Sequence, residues 1–396
     1  MFEKPYLSPQ LIDFIRENMH RDLAELALEA KKHPEMPMPF VIDQIYGKRK
    51  AKFKLPNWFA NEKIIYPPKI SIEQCSSEQT AAFKSSIISG NHLIDLTGGF
   101  GVDATCFANT FQRVTYVEQH PTLVHLVRQN AAAFGLENMT CHQEDGIAFL
   151  QQSAEQYDWI YLDPARRDEQ NKKMVGLESC HPNVLQVKNL LLAKADHTLL
   201  KLSPMLDIRQ AITQLDCVQK VWVVAVQNEC KELLFQLGKT SVEDVAISCV
   251  NIQKDDSKHI FEGFSNQEYI EKVQLSAPKA FVYEPNAAIM KGGLYKSLAK
   301  HFALSKLHPH SHLYTSDNLV ENFPGRSFQC IHVLPFNKKA ILKLIPAKKV
   351  NITVRNFPLT VAEIRKKTGL KDGGEWYLFA TTNQEGKKIC LLCKKV

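Results

Sequence analysis

The sequence predicts an α/β fold: a parallel sheet, helices on both faces, running from residue 92 to about 240. Three observations carry this. Strand-like and helix-like stretches alternate there without a break, which is the pattern of parallel strands joined by crossover helices. Val124, Val127, Ala131 and Phe134 recur at helical spacing between two strand-like runs, giving one buried stripe. The first strand-like run empties into a glycine-rich turn, Thr97-Gly98-Gly99-Phe100-Gly101, that opens a helix. Glycines let backbone approach a ligand closely, and a helix start offers unpaired N–H groups.

The elements follow in order. Residues 8–32 read as helix, with Ser8 as cap, Pro9 in the first helical position, and Leu11, Ile15, Leu23, Leu26 and Leu28 as apolar positions. Prolines 34, 37 and 39 end it. A second helical piece at 40–46 leads to the basic run Gly47-Lys48-Arg49-Lys50-Ala51-Lys52-Phe53-Lys54, suited either to touching nucleic acid or to an exposed connector. After Pro67-Pro68, Ser76 or Ser77 caps a helix to 89 that is placed to close one side of a pocket. Strands are expected at 92–96, 113–118, 139–142, 159–163, 197–202 and 218–226, with helices at 101–110, 120–134, 146–154, 182–194 and 205–215. Asn228-Glu229 reads as a hairpin turn into 231–237. Beyond it come a strand at 245–250, a polar stretch at 253–258, and a strand at 279–286 running into helix. Gly292-Gly293 interrupts, and a further helix covers 294–304. The end of the chain reads as strands at 328–334 and 350–355, a helix at 360–368, and a hairpin of 376–381 with 388–393 turned by Asn383 and Gly386.

At 396 residues the chain has length for two or three domains, each with a core. Its 44% hydrophobic and 23% charged residues are those of an ordinary soluble protein. No apolar run is long enough for a bilayer, and the N-terminus lacks a basic segment followed by an apolar one, so no membrane partner and a cytoplasmic location are expected. The ten cysteines fall mostly in apolar stretches. Cys390 and Cys393 form a lone C-x-x-C, which alternation in a final strand explains better than a metal, so no metal is expected. Charge is uneven. Residues 325–396 hold 15 Lys and Arg against 4 Asp and Glu, while the whole chain is only +7 and the rest therefore net acidic. A basic end on an acidic body suits a polyanion partner or a lysine-rich solvated surface.

In a parallel sheet, ligands bind beyond the carboxyl ends of the strands. Those ends carry acids here: Asp95, Glu118, the pair Glu144-Asp145, and Asp163. Carboxylates beside a glycine turn repel a pyrophosphate but hold a cationic amino-acid end, and this points to S-adenosylmethionine (SAM) over a dinucleotide. Asp95 would face the cationic end, Glu118 the ribose diol, and an acid at 144–145 the adenine amino group. Lys201 could meet a phosphate or be solvated. His120 and His181, each next to a proline at a helix start, read as caps.

The loop Asp95-Leu96-Thr97-Gly98-Gly99-Phe100-Gly101-Val102-Asp103-Ala104 resembles that of small-subunit rRNA guanine-N2 methyltransferases, with Thr97 where the first glycine usually stands. More broadly, the chain resembles a bacterial family of class I SAM-dependent methyltransferases with a THUMP-like C-terminal domain. The residues behind this are Gln74-Cys75-Ser76-Ser77-Glu78, Asp163-Pro164-Ala165-Arg166-Arg167, Lys201-Leu202-Ser203-Pro204-Met205-Leu206-Asp207 and the basic end. The resemblance implies a Rossmann-like methyltransferase domain at 71–245 behind an N-terminal helical region at 1–70. It also implies a ferredoxin-like α+β region at 246–324 and a THUMP-like domain at 325–396. It implies SAM as cofactor, held by Asp95, Thr97, Gly98, Gly99, Gly101, Glu118 and Asp145, and RNA (rRNA or tRNA) as partner. In amino-directed methyltransferases an acid or amide and a proline accept the exocyclic N–H groups, so Asp163 and Pro164 would orient the acceptor and Arg166 would contact it. Ala165-Arg166 stands where a second proline and an aromatic are usual. The same string also resembles uridine-C5 methyltransferases, but the place of their nucleophilic cysteine is taken by Leu202. Transfer to an RNA exocyclic nitrogen such as guanine N2 is the expected activity. A protein or small-molecule methyltransferase and a silent SAM- and RNA-binding protein stay open, as does the oligomeric state.

Overall fold

The computed structural model describes residues 7–166 and 176–396, and the chain divides into two compact units, Met1–Gln219 with Leu234–Ser241 and Lys220–Leu233 with Val242–Val396. Arg167 of the Asp-Pro-Ala-Arg-Arg string lies outside the described residues, as does the side chain of Arg166.

The first unit begins with helices Pro9–Glu17, Leu23–Leu28, Met38–Lys54, Pro56–Ala60, Lys69–Gln74 and Glu78–Ile87. The Ser8 hydroxyl accepts Leu11 N–H at 3.2 Å, as a cap before a proline should. The helix expected over 8–32 is broken. It stops at Asn18, and the Asp22 carboxylate takes Ala24 and Glu25 N–H to start another. Leu11, Ile15, Leu26, Val41 and Ile45 pack together as a small core of their own. The basic run is the second half of helix Met38–Lys54 rather than a connector.

The strands of the larger sheet are β1 (His92–Asp95), β2 (Arg113–Glu118), β3 (Met139–Gln143), β4 (Tyr157–Leu162), β7 (Ala195–Leu202), β8 (Val218–Val226), β9 (Glu229–Gly238), β10 (Ala246–Ile252) and β11 (Lys258–Phe264); the two-residue strands β5 (Ala165–Arg166) and β6 (Cys180–His181) pair with each other. Its hydrogen-bonded order is β11-β10-β8-β9-β7-β4-β1-β2-β3. β1 sits between β2 and β4, parallel to both, and all four of its residues are buried because helices cover both faces. The expected parallel sheet carries the hairpin expected at Asn228-Glu229 and one unforeseen antiparallel strand. Gln227 and Asn228, both with positive φ, make the tight turn that reverses β8 into β9, and β11 runs antiparallel to β10. β11 reads poorly in sequence because it is an edge strand with an exposed face.

The second unit holds a seven-stranded sheet built from β12 (Phe281–Pro285), β13 (Ser305–Lys306), β14 (Tyr314–Ser316), β15 (Gly325–Pro335), β16 (Asn351–Arg355), β17 (Trp376–Thr382) and β18 (Lys388–Lys395), in the order β13-β14-β12-β15-β18-β17-β16. Thr360 and Glu363 form a capping box at the start of helix Val361–Thr368. Asn383 turns β17 into β18, its side-chain oxygen accepting Glu385 and Lys387 N–H. Cys390 and Cys393 are both buried in β18, one in each of two separate cores, as strand alternation requires of residues three apart.

Candidate active site

Because β1, β2, β3 and β4 run parallel, the four loops after them leave the same edge of the sheet. The edge holds a cleft of about 330 Å³ whose lining includes Leu96, Thr97, Glu118, Asp145, Gly146 and Asp163, with Ile70 and Gln74 from helix Lys69–Gln74. Acids from three successive loops thus meet in one cavity, together with Thr97 of the glycine turn.

The turn itself is tightly determined. Gly99 and Gly101 have φ of +54° and +78°, values that favour glycine. A Cβ on Gly98 would stand 2.0 Å from the Tyr116 ring, and one on Gly146 would stand 2.1 Å from the Leu96 carbonyl oxygen. Gly98 N–H donates to the Val117 carbonyl, and the Tyr116 hydroxyl donates to the Gly99 carbonyl at 2.6 Å. Glu118 accepts Gly99 N–H on one oxygen at 3.0 Å and His120 N–H on the other at 2.9 Å. The turn is therefore tied to β2 by both backbone and side chains.

Asp95 lies beneath the cleft rather than on it. It is 1% exposed and accepts the Thr97 N–H at 3.0 Å. Burial pushes its carboxyl well above the usual range; the Thr97 bond opposes this, while Asp103, Asp163 and Glu118 add to it. Asp145 caps helix Gly146–Gln152, its Oδ1 accepting Ile147 and Ala148 N–H. Neither histidine caps with its side chain. The His120 ring makes no cap bond, and Asn183, not His181, caps helix Val184–Lys194. Asp207 is the cap of helix Ile208–Leu215.

Asp163 is tied in through both its backbone and its side chain. Its N–H donates to the Thr97 hydroxyl at 2.7 Å, and its Oδ2 takes the Lys201 ammonium at 2.5 Å. Lys201 is therefore the ion-pair partner of a cleft-lining acid and not a solvated strand end. The described residues lining the cleft include no cysteine, so covalent addition to a pyrimidine has no nucleophile there. Among the described residues no group of three or more His, Cys, Asp or Glu side chains could hold a metal ion. None of the helices among them is long and apolar enough to cross a membrane.

One set of residues escapes the sequence reading. Asp103, two residues after Gly101, is buried and accepts the Tyr161 and Ser76 hydroxyls, each at 2.8 Å, beside the fully buried Lys84 ammonium at 3.2 Å. Lys84 also donates to Ser76 at 3.1 Å. Burial alone would raise Asp103, but Lys84, Lys201, Tyr161 and Ser76 together hold it below the ordinary carboxylate range. The network clamps helix Glu78–Ile87 against the helix that follows the glycine turn, Val102–Ala108. Asp103 could have been singled out as an acid directly after a glycine turn, but nothing local marks Lys84.

The donors and acceptors fit SAM. The cleft offers carboxylates, a hydroxyl and close backbone, a set matched to an ammonium, a sulfonium, a diol and an amino group, and hostile to phosphates. The family comparisons agree with this chemistry. Residues 75–179 match the model of a family described as "Putative SAM-dependent methyltransferase". Residues 281–324 match a ferredoxin-like domain and 325–395 a THUMP-like domain. The solved structure of a protein described as a "putative methyltransferase" from Porphyromonas gingivalis W83 superposes with a TM-score of 0.86 at 29% identity, covering 99% of this chain and 100% of that one. The chain is a SAM-dependent methyltransferase.

Two further solved structures resemble this methyltransferase only distantly and over part of its length. An rRNA methylase from Streptococcus thermophilus has 13% identity and a TM-score of 0.31, covering 41% of this chain and 95% of its own. A protein from Streptococcus mutans described as "a putative methyltransferase", in complex with SAH, has 11% identity and the same TM-score, covering 41% of this chain and 97% of its own. No curated protein matches the chain. Within the methyltransferase, the segments matched as ferredoxin-like and THUMP-like share one sheet, because β12 of the first pairs along its length with β15 of the second.

Proposed function

We propose that the methyltransferase modifies RNA, rRNA or tRNA, at a base exocyclic nitrogen such as guanine N2. The observation that carries this reading is Asp163-Pro164 at the end of β4, with Asp163 lining the same cleft as Thr97, Glu118 and Asp145. SAM supplies an electrophilic methyl group on a cationic sulfur. Asp95, Thr97, Gly98, Gly99, Gly101, Glu118 and Asp145 are the residues proposed to hold it.

Asp163 and the Pro164 carbonyl accept the two N–H groups of the acceptor, which turns the nitrogen lone pair toward the methyl. Catalysis is then mainly orientation. Lys201 holds the Asp163 carboxylate in place and leaves it an acceptor for the second partner. The nitrogen loses its proton to solvent once the N–C bond has formed. Arg166 is proposed to contact the substrate, where a guanidinium can stack on a base or grip a phosphate. The THUMP-like segment and the basic C-terminal end support an RNA partner, since cations there supply phosphate contacts while the catalytic domain selects the base.

Transfer of labelled methyl from SAM into RNA, DNA and protein fractions of cells lacking this gene tests the reading. Label is expected in RNA, reduced about 100-fold or more with Asp163→Ala, the size expected when a reacting group is misplaced. Label confined to protein, or absent from all three fractions, would overturn it.

A further inference from the structure

We propose that the groove between helices Pro9–Glu17 and Met38–Lys54 is a second contact site for single-stranded RNA, separate from both the catalytic cleft and the C-terminal domain. The proposal rests on the RNA reading above.

The groove encloses about 800 Å³, and its lining joins apolar rings to cations: Phe53 and Phe59 beside Lys48, Lys52, Arg16 and His20. Two of these cations are positioned over rings. Lys52 Nζ lies 5.8 Å from the centroid of Phe53 and Lys48 Nζ 5.9 Å from that of Phe59. Phe53 is 85% exposed, so its ring is open for stacking. Arg16, in contrast, is shared between Asp13 and Glu62, and Arg49 donates to the Met19 and Arg21 carbonyls. The guanidinium groups build the groove, while the two lysines face it.

The spacing of the two lysines does not favour the helix that carries them. Lys48 and Lys52 stand four residues apart on one helix, where like charges repel and weaken the helix. No acid lies between residues 44 and 54 to offset them. An exposed phenylalanine beside cations that outnumber the one lining acid, Glu62, is the arrangement that binds single strands, with bases stacking on the ring and phosphates meeting the ammonium groups. Lys48 and Lys52 are separated by a helical rise of about 6 Å, a reach that suits neighbouring phosphates of one strand. The groove lies on the N-terminal helices and shares no lining residue with the cleft that carries the acids, so it would hold RNA flanking the modified base.

The test is a fluorescence anisotropy titration of the full chain with a labelled oligouridylate of about 12 nucleotides. Phe53→Ala is expected to weaken binding at least five-fold, the low end for one stacked base. Lys48→Ala with Lys52→Ala should flatten the dependence of log affinity on log salt by about 1.4, two single-strand phosphate contacts. SAM affinity of both variants, read by calorimetry, should equal that of the parent. If the parent binds the oligomer and both variants bind it equally well, the groove assignment is overturned while the RNA reading stands. If the parent does not bind it at any salt, the RNA reading falls and the groove with it. Equal binding and equal sensitivity to a duplex of the same length would overturn the single-strand assignment.

Discussion

Asp95 is unusual among the acids of the cleft because it is sealed under it. In the folded protein burial holds its carboxyl well above the usual range, so the folded state keeps a proton where the unfolded chain has lost it. The sign follows from linkage. Stability contributed by this group is present at low pH and lost as pH rises through the folded pKa, where the buried charge must form. In the proposed function Asp95 holds the SAM ammonium, and a cation bound there would offset that cost. SAM affinity is therefore expected to fall as pH is lowered through the Asp95 titration, because the neutral acid cannot hold the cation. Calorimetry across pH on Asp95→Asn should show weak binding with that dependence removed; a parent-like pH profile in the variant would assign the dependence to another group. The acid at the strand end is legible in the sequence, but its depth is not: it comes from the central place of β1 between β2 and β4 and from the helices over the sheet faces.

At the scale of elements, the glycine turn is held from two sides. Tyr116 and Glu118 fix it to β2, and the Lys84–Asp103 pair clamps the helix after it to helix Glu78–Ile87. Removing one partner of a buried ion pair leaves an uncompensated charge, at a cost of about 3–5 kcal/mol. Lys84→Met is expected to destabilise the protein by that much in urea unfolding, and pairing it with Asp103→Leu should recover part of the loss. No loss with Lys84→Met would mean the clamp is not what holds the turn. The regular helices and strands of this region are legible because their apolar periods are strong, as in Val124, Val127 and Ala131, which the structure places against the sheet. The clamp is not legible. Lys84 sits on a helix whose sequence, Ala82-Phe83-Lys84-Ser85, gives no reason to bury a lysine, and its partner is nineteen residues away.

At the scale of the molecule, the charge asymmetry resolves into a basic domain whose sheet is shared with the preceding segment. Cutting the chain at 324 would strip β15 from β12, so the contribution of the C-terminal end to RNA binding is better tested by surface charge. Lys366→Glu with Lys367→Glu, in the last turn of helix Val361–Thr368, is expected to weaken affinity for a tRNA or rRNA fragment about ten-fold and to reduce its salt dependence. Filter binding at two salt concentrations reads both, and parent-like values would remove this helix from the interface.

What the sequence determined by itself was local and periodic. It set the alternation of strands and helices, the glycine turn, the acids at four strand ends and the basic final domain, because each is written in neighbouring residues. Only the tertiary structure decided how those acids differ. Asp95 is buried under the floor, Glu118 is fastened to backbone N–H groups, Asp145 caps a helix, and Asp163 is paired with Lys201. Their environments come from residues distant in sequence, and a carboxylate's solvation and partners, not its position at a strand end, fix what it can do.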